Sequence, residues 1–146
     1  MRVIFDLDGT LALIEHRRHY VDGTGPEKSW PKFFQACDKD LPNHPIINTL
    51  LALEAAGHSC EIWSGRSGEV GLRTKLWLQS FGLGHVPLKM RYHDDYRPDD
   101  TLKEEWLDAA IAAGNKPDLV FDDRDKVVSM WRRRGIPCAQ VAPGDF

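Results

Sequence analysis

Two acidic residues, Asp6 and Asp8, belong to the motif DLDGT at residues 6–10, which completes the apolar run RVIFD at the start of the chain. Side chains two residues apart on extended backbone point to the same side, so both carboxylates can face one ligand. If the apolar run is a strand of an open α/β sheet, the motif lies at the carboxyl edge, where ligands bind. The alternative is an Asp-Gly turn with solvated acids. A buried strand that ends in two acids favours a ligand-binding site over a solvated turn.

A second pair of acids, Asp122 and Asp123, follows the apolar run LVF at residues 119–121. Capping of the next helix explains one of the two carboxylates, but it leaves the other beside a like charge. Together with Asp6 and Asp8, the pair would form an all-oxygen site. Such a site suits Mg²⁺, which takes carboxylates together with a substrate phosphate.

Two further segments could bind phosphate. Ser64, Gly65 and Arg66 follow the predicted strand SCEIW, and a hydroxyl with backbone N–H groups at a helix start can hold an anion. A plain turn is the alternative. Lys103 lies in the first turn of a predicted helix, where a bound phosphate would offset its conflict with the helix dipole; the alternative is an exposed lysine. The chain has neither a dinucleotide-binding glycine motif nor a kinase-type phosphate loop.

Apolar periodicity and turn residues predict strands that alternate with helices. The predicted strands cover 2–6, 59–63, 87–92, 118–122 and 136–142, and the predicted helices cover 45–56, 70–81, 101–113 and 125–134. We expect the second helix to turn Leu72, Leu76 and Phe81 inward, and the third to begin with a capping box, Thr101 with Glu104. This alternation predicts a three-layer α/β fold with a central, mainly parallel sheet.

The stretch Glu15–His44 does not follow this alternation of strands and helices, and it contains several prolines and glycines. We predict a small inserted, cap-like excursion there, lying over the strand ends. Its aromatic residues Trp30, Phe33 and Phe34 would either stack bases or form a miniature core. The triplet at residues 132–134, three arginines, is either a nucleic-acid contact or a solvated helix end, and the second is favoured because cations suit a helix C-terminus.

Length and composition limit the classes of protein. A chain of 146 residues with 42% hydrophobic residues indicates one globular domain over residues 1–146. A net charge of −3 excludes a surface that attracts nucleic acid as a whole. No apolar run is long enough for a transmembrane helix. Three scattered cysteines, and a carboxylate as early as Asp6, favour a cytoplasmic protein over a secreted one.

In this order, the motifs resemble those of the haloacid dehalogenase superfamily of phosphotransferases, whose four motifs match residues 6–10, Ser64, Lys103 and 122–123. The resemblance is closer to the 3′-phosphatase domain of bacteriophage-type polynucleotide kinase/phosphatase. It extends through SGR at 64–66, DDTLKEE at 99–105, Arg17 and the run from FDDR at 121 to the last residue. A Rossmann-like α/β fold is implied for nearly the whole chain.

The resemblance implies a Mg²⁺-dependent phosphomonoesterase. Asp6 would be the nucleophile that forms an aspartyl-phosphate, and Asp8 the general acid and then the general base. Ser64 and Lys103 would bind the phosphoryl oxygens. The implied metal ligands are Asp6, the Asp8 carbonyl, Asp122 and, through water, Asp123. The other implied substrate-binding residues are Thr10, Arg17, Gly65 and Arg66, and the supporting residues are Asp99, Asp100, Asp123 and Arg124.

Arg17 and Arg66 are expected at the mouth of the site, with surface salt bridges as the alternative. The implied function is a polynucleotide 3′-phosphatase in the repair of DNA or RNA ends. The alternatives are a nucleotidase or other small-ester phosphatase and, more remotely, a catalytically silent binding module. Without a kinase domain, we expect no 5′-phosphorylation and a separate kinase or ligase as partner. A homodimer is one of the open oligomeric states.

Overall fold

The computed structural model describes all residues 1–146, with seven strands and six helices. The strands are β1 Arg2–Phe5, β2 Ala12–Leu13, β3 Leu41–Pro42, β4 Ser59–Ser67, β5 Leu88–Arg91, β6 Leu119–Asp122 and β7 Cys138–Gln140. The helices are α1 Glu15–Arg18, α2 Trp30–Gln35, α3 His44–Ala55, α4 Gly71–Ser80, α5 Asp99–Ala112 and α6 Asp125–Arg133. None of the helices combines the length and the apolar character needed to cross a membrane.

Five parallel strands form the central sheet in the order β5-β4-β1-β6-β7. Alternate residues of β1 serve opposite faces, as extended backbone requires. Val3 and Phe5 pack in a cluster with side chains of α3 and α4, whereas Ile4 packs with side chains of α5 and α6. The predicted three-layer α/β fold with a mainly parallel sheet is therefore confirmed.

Two local predictions on the helices are wrong. Leu72 and Leu76 of α4 are exposed, and Trp77 is buried instead. The Trp77 ring joins the core and its indole N–H donates to the Asp40 carbonyl at 2.9 Å, so the larger aromatic residue decides which face turns inward. The predicted capping box is also absent. Helix α5 begins two residues earlier, and no side chain caps its N-terminus.

The stretch 15–44 contains α1, α2 and β3, which pairs antiparallel with β2. Its own small core consists of Ile14, Val21 and Phe33, with Trp30 and Phe34 half-buried against it. Phe33 is thus a core residue, while Trp30 and Phe34 keep part of their rings exposed. The assignment of this stretch as a cap stays a prediction.

The arginine triplet at the end of α6 is held by the protein itself. Arg133 and Arg134 both pair with Glu104 of α5, and Arg134 also pairs with Asp108. Arg132 donates to the Cys138 carbonyl at 3.1 Å. These contacts support the structural alternative, a charged helix end, over a basic patch open to nucleic acid.

Candidate active site

Three neighbouring strands bring the predicted residues to one edge of the sheet. Asp6 directly follows β1, Asp122 is the last residue of β6, and Ser64 lies within β4. Because β1 lies between β4 and β6, the side chains after β1 have neighbours from both sides. All three residues are buried, so interactions among them are strengthened by the low polarity of the surroundings.

Lys103 crosses this edge from α5. Its Nζ lies 2.7 Å from Asp6 Oδ1 and 3.0 Å from Asp122 Oδ2. The residue is only 1% exposed and stands fifth in the helix, so both the exposed-lysine alternative and the expected first-turn position are wrong. Burial alone would lower the pKa of Lys103, but the carboxylates of Asp122 and Asp6 raise it above its usual range.

The carboxylates of Asp6, Asp122 and Asp123 form a compact acidic cluster, with oxygens within 4.8 Å of one another. Burial raises the pKa of Asp6 well above its usual range, although Lys103 opposes the shift. Burial, with repulsion from Asp122, raises the pKa of Asp123 to about 8. The single ammonium group of Lys103 therefore does not balance the negative charge of the three carboxylates. A hard divalent cation such as Mg²⁺ fits this all-oxygen donor set.

Without metal, we expect the free energy of unfolding to fall as the pH rises from about 4 to about 8. The pKa of Asp123 rises from 3.8 to about 8, so the folded protein binds more protons than the unfolded chain in this window. Urea denaturation in EDTA at several pH values measures the slope. Asp123→Asn should flatten it, and a stability that rises with pH in the wild-type protein would contradict the prediction.

Asp8 is separate from the acidic cluster because two arginines hold its carboxylate. Oδ1 accepts from Arg17 Nη2 at 2.5 Å, and from Arg66 Nε at 2.9 Å and Nη2 at 2.7 Å. Burial alone would raise the pKa of Asp8, but the two guanidinium groups lower it to about 2. Among the four predicted metal residues, Asp8 is thus the one whose side chain is occupied elsewhere. This agrees with its expected use of a backbone carbonyl.

Asp40 completes this network and was not predicted from the sequence. Its carboxylate accepts from Arg17 Nε at 2.7 Å and Nη2 at 2.6 Å, and from Arg66 Nη2 at 2.9 Å. Both arginines are fully buried, so their expected position at the mouth of the site and the surface salt-bridge alternative are wrong. No motif surrounds Asp40; it lies just before β3, at the end of the irregular stretch.

Replacing Asp40 with Asn should both destabilise the folded protein and lower its catalytic rate. Two buried guanidinium groups would then share the single carboxylate of Asp8, a loss worth about 3–5 kcal/mol of unfolding free energy. Because Asp8 loses its fixed orientation, we expect kcat to fall about 10- to 100-fold, as for other outer-shell partners. Asp38→Asn, at an exposed neighbouring position, is the control. Unchanged urea stability of Asp40→Asn would contradict the role assigned to the network.

Two glycines allow the backbone to approach the acids. Gly9 has φ +81°, and a Cβ there would lie 2.0 Å from Asp123 Oδ2. A Cβ at Gly65 would lie 1.8 Å from Asp99 Oδ1. Arg91, a second residue missed from the sequence, donates to the Gly65 carbonyl at 2.8 Å and to Asp99 Oδ1 at 3.1 Å. It therefore ties the end of β5 to both segments.

The prediction that Ser64 lies at the start of a helix, where backbone N–H groups could bind phosphate, is wrong. Strand β4 continues through Ser67 and α4 begins only at Gly71, so no helix starts at Ser64. The Ser64 hydroxyl instead accepts from the Arg66 backbone N–H at 3.1 Å. The hydroxyl of Thr10 is fully buried without a hydrogen-bond partner, and Thr10 does not line the pocket, so its role in substrate binding stays a prediction.

The remaining supporting residues lie around one pocket. Asp99 Oδ2 is 3.9 Å from Lys103 Nζ, so this carboxylate faces the lysine of the site, and no side chain of this helix start acts as a cap. Arg124 Nε donates to the Phe146 carbonyl at 2.6 Å. The pocket encloses about 380 Å³, and its lining includes Asp6, Asp8, Gly65, Asp99, Asp100, Asp123 and Arg124.

The parallel sheet, with paired acids after its central strand, defines the haloacid dehalogenase class of phosphatases. A haloacid dehalogenase-like hydrolase from Streptococcus pneumoniae has the same fold, with a TM-score of 0.61, 13% identity, and coverage of 95% of this chain and 83% of that chain. The family model described as the polynucleotide kinase PNKP phosphatase domain matches residues 1–146. The chain belongs to this family and is a phosphatase of the haloacid dehalogenase type.

Two relatives are similar along most of the chain. A putative bifunctional polynucleotide kinase/RNA ligase of Autographa californica nuclear polyhedrosis virus is 32% identical over 138 residues, which cover 92% of this chain and 18% of that protein. A chain in the structure of the Pnkp1/Rnl/Hen1 RNA repair complex is 33% identical, with a TM-score of 0.80, over 99% of this chain and 43% of that chain. This chain thus spans less than half the length of either relative.

Proposed function

We propose that this protein is a Mg²⁺-dependent polynucleotide 3′-phosphatase that acts in the repair of DNA or RNA ends. The observation that carries the proposal is the pair of differently held acids at one pocket: Asp6, within the acidic cluster, is bound to Lys103, and Asp8 is bound to two arginines. Two neighbouring carboxylates can take different roles only where their surroundings separate their pKa values. Family membership and the repair proteins among the relatives support the substrate class.

Asp6 is the proposed nucleophile. Its carboxylate oxygen would attack phosphorus, form an aspartyl-phosphate and release the 3′-oxygen of the substrate. Lys103 Nζ and the Ser64 hydroxyl are the proposed partners of the phosphoryl oxygens, whose charge redistributes during the reaction. Mg²⁺, when bound, would supply positive charge that screens the Asp6 carboxylate from the incoming phosphate. The residues that would hold it are the carboxylates of Asp6 and Asp122, the Asp8 carbonyl and, through water, Asp123.

Asp8 is proposed to transfer a proton in both steps, first when the aspartyl-phosphate forms and then when water hydrolyses it. With a pKa of about 2, it is ionised at neutral pH and ready to accept a proton from the hydrolytic water. In the first step, the leaving 3′-oxygen needs a proton that Asp8 does not hold in the free protein. A phosphate monoester can bring one, because its second pKa is about 6. Arg17 and Arg66 would then fix the carboxylate that passes this proton on.

The test is phosphate release, in Mg²⁺ and in EDTA, from oligonucleotides with a 3′- or a 5′-phosphate and from 3′- and 5′-mononucleotides. We expect Mg²⁺-dependent release that favours the 3′-phosphorylated oligonucleotide and weakens as salt rises. An Asp6→Asn preparation controls for contaminating phosphatases. Equal or better turnover of mononucleotides would instead identify a nucleotidase, an alternative that the pocket of about 380 Å³ allows. No release from any substrate would contradict both.

The partner and location proposals rest on the relatives and the sequence. The relatives' names join polynucleotide kinase, RNA ligase and an RNA repair complex, so we propose that this phosphatase works with a kinase and a ligase. One domain over residues 1–146, the absence of a kinase domain from it, a cytoplasmic location and the homodimer alternative stay predictions.

A further inference from the structure

The pocket is lined by two chemically different groups of residues. The first group is the acids Asp6, Asp8 and Asp123, and the second is the aromatic residues Trp30 and Phe34. The ring centroids of Trp30 and Phe34 are 5.9 Å apart, with planes inclined by 31°. Both rings are half-buried, so they are fixed in place and still offer a surface to the pocket.

Two cations flank these aromatic residues. Lys28 Nζ and Arg124 Cζ each lie 5.3 Å from the centre of the Trp30 ring. Lys28 has no carboxylate partner, and Arg124 uses only its Nε, which donates to the Phe146 oxygen at 2.6 Å. Arg91 and Arg97, by contrast, pair with Asp95 and with acids of α5. Lys28 Nζ and the Nη groups of Arg124 are therefore available to a ligand.

Aromatic surfaces beside unpaired cations are the combination with which proteins hold single-stranded nucleic acid, because bases stack on the rings and the backbone phosphates meet the cations. The volume of about 380 Å³ lies at the small end of the range for ligand pockets. It suits one unpaired nucleotide better than the end of a duplex.

We infer that the pocket recognises the terminal nucleoside of the phosphorylated end by stacking its base on Trp30 and Phe34. This inference rests on the proposed function, since it assigns the substrate's base to the aromatic residues of the pocket that also contains the acids. Lys28 and Arg124 then meet the next phosphate along the strand. Selection among phosphate esters consequently depends on the presence of a base and not on charge alone.

The test compares two single-stranded oligonucleotides that end in a 3′-phosphate. One carries a normal terminal thymidine, and the other carries a tetrahydrofuran abasic residue at the same position. For the wild-type protein, we expect kcat/KM to be about 5- to 100-fold higher for the base-bearing end, which is the range that one stacked base provides. The difference should lie mainly in KM, because the base is remote from the reacting phosphorus.

Variants of Trp30 and Phe34 test whether these two rings cause the preference for the base-bearing end. Trp30→Ala and Phe34→Ala should each lower the ratio of the two kcat/KM values, and the double variant should bring it close to one. Trp30→Phe, which retains an aromatic face, should keep most of the ratio. Tyr92→Ala removes an exposed aromatic ring outside the pocket and serves as the matched control.

Two results would overturn the inference. The first is equal kcat/KM for both ends in the wild-type protein, a measurement that needs no variant to fold. The second is a ratio that survives the double variant. In either case 3′-phosphate release itself still occurs, so the proposed function stands. If the wild-type protein releases phosphate from neither end, the proposed function fails and the inference fails with it.

Discussion

Asp6→Asn should abolish turnover, with a fall in kcat of about 10⁴-fold or more, because an amide cannot form the aspartyl-phosphate that we propose as the intermediate. The side chain keeps its shape, so substrate can still reach the pocket. Burial raises the pKa of Asp6, which means that the folded protein already bears a cost for this charge. We therefore expect the variant to be at least as stable as the wild-type protein in EDTA.

The measurement for Asp6→Asn is single-turnover phosphate release from the 3′-phosphorylated oligonucleotide, with urea denaturation alongside it. Asp123→Asn is the matched comparison, since it removes a carboxylate of the same cluster that is not the proposed nucleophile. We expect it to retain more activity. Near-normal turnover by Asp6→Asn would mean that another residue attacks phosphorus.

Lys103→Met should have the largest combined effect on stability and activity. The ammonium bridges Asp6 and Asp122, and its loss leaves buried carboxylates without a countercharge. Removing one partner of a buried pair costs about 3–5 kcal/mol. We expect kcat to fall about 10²- to 10³-fold as well, because a group that binds the developing charge disappears.

Added Mg²⁺ should recover part of the stability of Lys103→Met, since a divalent cation replaces positive charge among the same acids. Lys116→Met, at an exposed position, is the control for the loss of a lysine. Urea denaturation with and without Mg²⁺, together with steady-state phosphate release, measures both effects. A variant that keeps both its stability in EDTA and its activity within tenfold would contradict the bridging role.

The positions of Asp6, Ser64 and Asp122 could be predicted because each follows an apolar run that forms a strand. Parallel strands end at the same edge, so strand ends that are distant in sequence meet without any further information. Lys103 could be placed in the site only through the resemblance to a family, since a lysine on a helix is usually exposed. Its burial depends on how α5 packs across the sheet, which no local pattern records.

Asp40, Arg17 and Arg91 show what sequence patterns could not supply. Each derives its role from partners outside its own element. Asp40 accepts from Arg66, Arg17 donates to Asp8, and Arg91 donates to the carbonyl of Gly65. The prediction of the buried face of α4 was wrong for a related reason. Leucines at helical spacing predicted one face, but the tertiary contact of Trp77 with the segment around Asp40 buries another.

The central place of β1 in the sheet also governs when catalytic competence arises during folding. Arg2 pairs with Ser59 and Val3 with Leu119, so β1 pairs with strands that follow it far along the chain. Such non-local pairing slows folding because long loops must close before the contacts that reward closure can form. During synthesis, the proposed nucleophile Asp6 therefore leaves the ribosome before Lys103 and Asp122, and it meets both only after α5 and β6 have followed.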